Sequence, residues 1–414
     1  MTIAEGVSVR VAYKAYSAGT MTSNTEADTA TAPGASGGQI LRRVGSTLDL
    51  TKDTYESAEI RVDRQVADFR HGTRRVAGNI SGELSPGTYF DFFEAVNRDT
   101  ATAGVALDES DLTSCAADST TARLTFGSGD PVALGLGVGM VIRLGGMSNA
   151  ANNATNFTIL SFGGTSNREV TVTPAPTTQT ADTAFTLTVP GKTTIVPASG
   201  HVRRLFAFEH YHDDLDIARL FTECRVHGYR LSLPATGMST IEIPVMGRNM
   251  QVLTAGSAPY FTSPTAAGVD GIAAAVNGVL LVAGTVQGVV TGVTLNADIA
   301  ASMPAVVGQD FAPDIILGRY RLTGEVTALF ESATLLNAFL NETEVALLVR
   351  LDASSAANTD AVSIYLPRIK FGGATIPATG EGEQIVTLPF QALLYEGAAA
   401  GVPGSTIRIH DTAA

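Results

Sequence analysis

From Gly72 the chain reads GTRRVAGNISGEL, and from Gly318 it reads GRYRLTGEVTALF. Gly72 aligns with Gly318, Arg75 with Arg321, Gly78 with Gly324 and Ile80 with Val326, an offset of 246 residues (72 to 318). Each segment alternates like a strand and keeps a glycine at the same interior position, which marks close approach of another backbone or a bulge. The offset carries into the next element. Residues 85–96, SPGTYFDFFEAV, predict a helix with Ser85 as N-cap and Pro86 at its first position. Tyr89, Phe92, Phe93 and Val96 form its apolar stripe. Its counterpart is 331–342, with Leu335 for Tyr89 and Phe339 for Phe93. A further phrase, an apolar residue followed by Pro-Ala-Thr-Gly, begins at Leu233 and again at Ile376, here at an offset of 143 (234 to 377). The difference between the offsets, 103 residues, must lie between helix and phrase in the first copy.

That stretch differs from its surroundings. Loop-like segments flank candidate strands at 122–126, 139–144, 156–162, 168–174 and 184–189, which predict a small β-barrel or β-sandwich. The expected organisation is a first β domain over 1–104 and 199–255, interrupted by an inserted small β domain over 105–198, and a second β domain over 256–414. The closing segment 396–414 reads as a loose tail or a further contact strand.

With 45% hydrophobic and 16% charged residues, the 414-residue chain can bury sizeable cores. Cys115 and Cys224 make neither a disulfide framework nor a metal motif and predict a reducing compartment. The first residues show no charged region followed by an apolar core, so no secretory leader is expected. The apolar stretch 271–295 lacks Lys, Arg, Asp and Glu, but its Val, Thr and Gly, broken by Asn277 and Gln287, predict successive buried strands over a membrane helix. Net charge is −13, and residues 251–414 alone hold 14 acids and 6 bases. Such a chain lacks the clustered cations that grip nucleic acid.

Other chemistry finds little support. His210, His212, Asp213, Asp214 and Asp216 gather metal-ligating types, yet they read as a polar strand end and turn. GLGVGM (135–140) lacks dinucleotide-loop spacing and reads as a turn entering a strand. Asn153 and Asn156 stand in glycosylation sequons within an Asn-rich surface turn. No catalytic, cofactor or metal residue is assigned, and an enzyme is not expected.

Residues 48–96 and 216–250 resemble the major tail tube proteins of long-tailed, siphovirus-type bacteriophages. The resemblance implies a mainly β fold: two tandem tail-tube-like β-sandwich domains, each with a flanking helix. It also implies a structural virion protein made in the bacterial host cytoplasm, whose sheets join between subunits into rings that stack as the hollow tube for DNA. Six domains per ring and two per chain imply homotrimeric, pseudo-sixfold rings. Expected partners are other copies, tail proteins at the tube ends, and a tape-measure protein and DNA in the lumen without sequence-specific binding; no membrane is expected. The alternatives are a carbohydrate-binding or adhesin-type virion protein, disfavoured by the absence of Trp, and a tube protein of a contractile injection system, usually a single-domain chain.

One loop invites a specific assignment. Residues 51–75 carry Lys52, Arg61, Arg64, Arg70, Arg74 and Arg75 against Asp53, Glu56, Glu59, Asp63 and Asp68. This balanced charge, read as lacking an apolar stripe, marks Lys52, Asp53, Glu56, Glu59, Arg61, Asp63, Arg64, Asp68 and Arg70 as a candidate contact between stacked rings. The net charge further predicts a predominantly negative lumen.

Overall fold

The structure is a computed structural model that describes residues 5–414 apart from 18, 20, 22–32, 275–277, 283–284, 287–289, 332–333 and 377–382. The architecture is mainly β, with two antiparallel sheet systems and few helices.

The two tube-like domains share not only sequence but hydrogen-bond register. In the first, Phe69–Glu83 pairs with Thr240–Gly247, and Pro244 stands opposite Asn79. In the second, Arg321–Leu329 pairs with Ile385–Ala392, and Pro389 stands opposite Glu325. The adjoining pairing repeats too: Val226 faces Val245 as Phe371 faces Phe390. Even the bulge recurs, between Phe206 and Phe208 in one copy and between Val345 and Leu347 in the other. Ile217–Val226 and Thr240–Gly247 keep an offset of 145 to their counterparts (Pro244 to Pro389), two more than the Pro-Ala-Thr-Gly phrases. The second phrase falls at 377–380, outside the described residues.

Two glycines explain why the repeat kept them. A Cβ on Gly78 would lie 2.5 Å from the Thr47 carbonyl oxygen, and one on Gly324 would lie 2.3 Å from that of Thr294. The strands being approached match in sequence, Gly45-Ser-Thr-Leu-Asp49 against Gly292-Val-Thr-Leu-Asn296, and both oppose their glycine-bearing partner in one register.

In each domain a second sheet covers this first one. In domain one it runs Val9–Ala15, Phe206–His212, Ile217–Val226, Asn249–Thr254. In domain two it runs Gly278–Val282, Val345–Asp352, Ala361–Phe371, Arg408–Asp411. The segment read as tail or contact strand therefore supplies a strand, in the place of Asn249–Thr254. The apolar stretch 271–295 forms Gly278–Val282, Thr285–Val286 and the start of Val290–Asp298, as expected of successive strands. No described helix is long and apolar enough to cross a membrane.

The first flanking helix is Phe90–Asn97, shorter than expected. Gly87 takes φ +73°, and its N–H donates to both Asp411 carboxylate oxygens at 3.0 and 2.8 Å. That bond holds residues 86–89 in a turn, so Tyr89 rather than Ser85 occupies the N-cap position. The stripe itself is as expected: Tyr89, Phe92, Phe93 and Val96 are buried with Tyr13, Phe206, Phe208 and Tyr229. The second helix is Thr334–Leu340.

The insertion forms an antiparallel sheet of eight strands around a core of its own. All five expected strands are present, and Ala106–Asp108, Cys115–Asp118 and Gln179–Asp182 add three short ones. The chain enters and leaves at one point. Lys192 faces Ala103, and the Gly104 N–H donates to the Gly191 carbonyl at 2.8 Å.

Candidate functional site

A protein that assembles through sheets needs strand edges, and this chain shows how one edge is joined. Gly228–Pro234 of the first domain pairs antiparallel with Val290–Asp298 of the second, with Leu231 opposite Leu295. One sheet thus runs unbroken through both domains: Ile385–Ala392, Arg321–Leu329, Val290–Asp298, Gly228–Pro234, Thr240–Gly247, Phe69–Glu83, Asp49–Glu56. Its two ends are the halves of the same joint. Thr375 bridges Thr387 as Arg230 faces Glu242, so residues 373–376 stand where Gly228–Leu231 stands. At the far end, Leu48–Thr51 stands where Leu295–Asp298 stands. Unpaired edges of this kind are templates for another chain.

The joint is reinforced by the second domain's 300–317 loop, which turns back onto the first domain. The Arg74 N–H donates to the Asp310 carbonyl at 2.7 Å, and the Arg248 guanidinium lies 4.7 Å from the Phe311 ring centre. Asp314 accepts from Arg203 at 2.6 Å and from the buried Arg225 at 3.2 Å. Burial, with Arg203 nearby, pushes Arg225 down to about 10.

The counterpart of this loop in the first domain is the charged segment chosen from sequence. It is a long hairpin, Asp49–Glu56 with the start of Phe69–Glu83, that stands out from the body. Its charges largely satisfy one another: Arg61 with Asp63 at 3.1 Å, Arg70 with Asp68 at 2.7 Å, Arg75 with Asp53 at 3.1 Å. The Arg61 contact holds the Asp63 carboxyl below its ordinary range. Lys52, Glu56, Glu59 and Arg64 form no ion pair among the described residues. Against the expectation of a loop without an apolar stripe, the hairpin exposes several apolar side chains. Ile60 and Val62 are fully exposed, and Tyr55, Val66 and Phe69 more than half exposed. Alternation with charged residues hid them in the sequence.

Further exposed large apolar side chains outside the hairpin include Val44, Met238, Val307, Phe330, Leu340 and Ile385, and none of the described residues of the inserted domain contributes one. The open face of the continuous sheet is different again. It carries Ser81, Ser232, Thr240, Thr294, Thr323 and Thr327 interleaved with Arg75, Arg230 and Arg321 and with Glu83, Glu242, Asp298 and Glu325, Arg230 lying 3.5 Å from Glu242.

The remaining candidates are structural. His210 is buried beside Arg219, its pKa pushed down to about 3 by burial and that charge. Residues 213–216 turn the hairpin, with Asp214 accepting from the Glu5 N–H and Asp216 from the Tyr211 hydroxyl. Among the described residues no three His, Cys, Asp or Glu are placed to hold a metal ion. Residues 135–140 lead by a turn into Val141–Gly145. Asn156 is buried, its amide donating to the Thr359 carbonyl, and Cys115 and Cys224 are buried thiols.

No curated protein matches the chain. A family model does, over residues 6–392, which takes in the first sandwich domain with its insertion and charged hairpin and the second sandwich domain as far as Ala392. The chain therefore belongs to the phage tail tube protein family.

Proposed function

We propose that three copies of this chain close a ring of six related domains, and that such rings stack into the tail tube through which phage DNA passes. The reading rests on the joint inside the chain. Two domains meet edge to edge, and the same two half-joints stand open at the ends of the continuous sheet. A head-to-tail contact of this kind generates a closed ring when its rotation divides the circle. The domain limits drawn from sequence, with the insertion at 105–198, form part of this proposal. One adjustment is supported by contacts: residues 258–266 lie against the first domain, where Thr262 bridges Ser36 and the Glu209 carboxylate accepts from the Tyr260 and Phe261 N–H groups.

The open face of the sheet becomes the lumen wall, since the other face is occupied by core and helix. That wall is hydroxyl-rich and only slightly acidic, milder than the net charge predicts. The Lys52–Arg70 hairpin remains the inter-ring contact, with Ile60, Val62 and Val66 as its anchors and the charges setting register. The inserted domain faces outward, consistent with its lack of exposed large apolar groups among the described residues.

The internal pairing of Arg230 with Asn296 places Thr375 of one copy opposite Asp49 of the next. Oxidation of Thr375→Cys/Asp49→Cys tubes should give chains linked in threes, cyclic under denaturing electrophoresis. Six chains per ring in a reconstruction, or tubes that never cross-link at this pair, would overturn the reading.

A further inference from the structure

The two domains differ at one corner, and the difference identifies what covers it. In the first domain the Leu84 N–H donates to the Ser239 carbonyl at 2.8 Å. The linker then closes the corner: the Ala273 N–H donates to the Leu84 carbonyl at 2.8 Å, the Ser239 N–H donates to the Ala273 carbonyl at 3.1 Å, and Ala274 bridges Met238. Leu84 and Ala273 are completely buried. In the second domain the Phe330 N–H makes the equivalent bond to the Gln384 carbonyl at 2.8 Å. No described segment stands where Ala273 stands. Phe330 continues the inward-facing alternation of Leu322, Val326 and Ala328, yet 38% of it is exposed, against 0% for Leu84. Leu340 is exposed as well.

The occupant follows from register. Tyr13 faces Phe208 as Val282 faces Leu347, so Val9–Tyr13 corresponds to Gly278–Val282 at an offset of 269 (13 to 282). Counting back, Ile272 and Ala273 correspond to Ile3 and Ala4, and the sequences agree: TIAEGV at 2–7, GIAAAV at 271–276. In the first domain the covering segment is the one that leads into the neighbouring domain's first strand. Around a ring, the segment leading into a neighbour's first strand is that neighbour's residues 2–5.

We propose that residues 2–5 of a second copy close the Phe330 corner, pairing with Phe330 and Gln384 as Ala273 pairs with Leu84 and Ser239. The inference rests on the ring reading and adds a second, separate joint to it. Each chain would then be held to its neighbour by a sheet edge and by a strap of backbone that also covers Phe330. Exposed apolar surface at an open strand end is removed in the same step.

The bridge of Ala274 to Met238 places Glu5 opposite Glu383 of the neighbour. Tubes of Glu5→Cys/Glu383→Cys should cross-link between chains on oxidation, and never within an isolated chain. Truncation of residues 2–4, which spares the Glu5 bond to Asp214, should leave the monomer's thermal unfolding unchanged and weaken ring formation by about tenfold per joint, the equivalent of one lost backbone bond pair. Tubes that link through Thr375→Cys/Asp49→Cys but not through Glu5→Cys/Glu383→Cys would overturn this proposal and leave the ring intact. Tubes that link through neither would overturn both. A truncated chain that assembles as the full one does would also defeat it.

Discussion

His410 shows how a single side chain ties distant parts of this sequence together. Its Nδ1 accepts the Val141 N–H of the inserted domain at 2.9 Å, and its Nε2 donates to the Pro190 carbonyl at 2.7 Å. Both contacts suit the neutral ring alone, because a proton on Nδ1 would point at another donor. Burial therefore pushes the pKa down to about 4, with Arg408 and Arg143 adding repulsion. For a base depressed in the folded state, the stabilisation is complete above the ordinary value near 6.5 and is lost as pH falls towards 4. A shift of that size corresponds to about 3 kcal/mol. His410→Gln keeps an acceptor and a donor but does not titrate. Its unfolding free energy should fall less steeply between pH 6.5 and 4 than that of the unaltered chain, while His210, depressed in the same direction, acts equally in both. Parallel curves in urea titrations at pH 7, 5 and 4 would show that His410 does not carry the effect.

At the scale of elements, the insertion reads in the sequence as a small β domain of its own, and its contacts show how far it is joined to the rest. Its ends do meet, at Gly104 and Gly191, so the gap closes with a short turn. Yet the domain also docks on the second tube domain. Val138 packs with Leu348 and Tyr365, Arg143 pairs with Asp360 at 3.1 Å, and Arg350 donates to the Asn156 carbonyl at 2.8 Å. Replacing 105–190 by a turn should therefore leave a folded but sticky chain, and adding Leu348→Thr and Tyr365→Thr should restore soluble yield and tube formation in negative stain. Failure of the triple variant to give any folded protein would mean that the insertion is part of the second domain's core. This docking is not legible in the sequence, because it joins Val138 to Leu348 at a separation of 210 positions (138 to 348) and uses no motif. The duplication was legible, because Gly78 and Gly324 each answer to a backbone in contact, and that constraint leaves the same residue at the same place. The local sequence favours Ser85 as the cap, but Asp411 captures the Gly87 N–H from the far end of the chain. The apolar hairpin tip was misread because Ile60, Val62 and Val66 are spaced among charges whose pairing with one another only the fold reveals.

For the whole molecule, the proposed tube raises the question of what its wall would present to DNA. The continuous sheet turns one face to core and helix and leaves the other lined by Ser and Thr interleaved with charges of both signs, Glu242 partly neutralised by Arg230 at 3.5 Å. On such a wall Glu83, Glu242, Asp298 and Glu325 outnumber Arg75, Arg230 and Arg321, so the counterion release that drives adhesion would be weak at each level of the proposed stack. Weak repulsion from the residual acids reaches about 8 Å at physiological salt, enough to act beside a duplex without obstructing it. The test is to supply the missing cations. Thr327 lies on the open face, half-exposed, with its hydroxyl accepting from Thr291. Thr327→Lys would add one positive charge per chain, repeated at each ring. Assembled tubes of the variant should retain double-stranded DNA at 50 mM salt and release it by about 200 mM, because affinity falls steeply with salt when several phosphates are contacted at once. Unaltered tubes should retain none at either concentration. If the unaltered tubes bind DNA as the variant does, or if the variant's retention does not respond to salt, this face of the sheet is not the lumen wall.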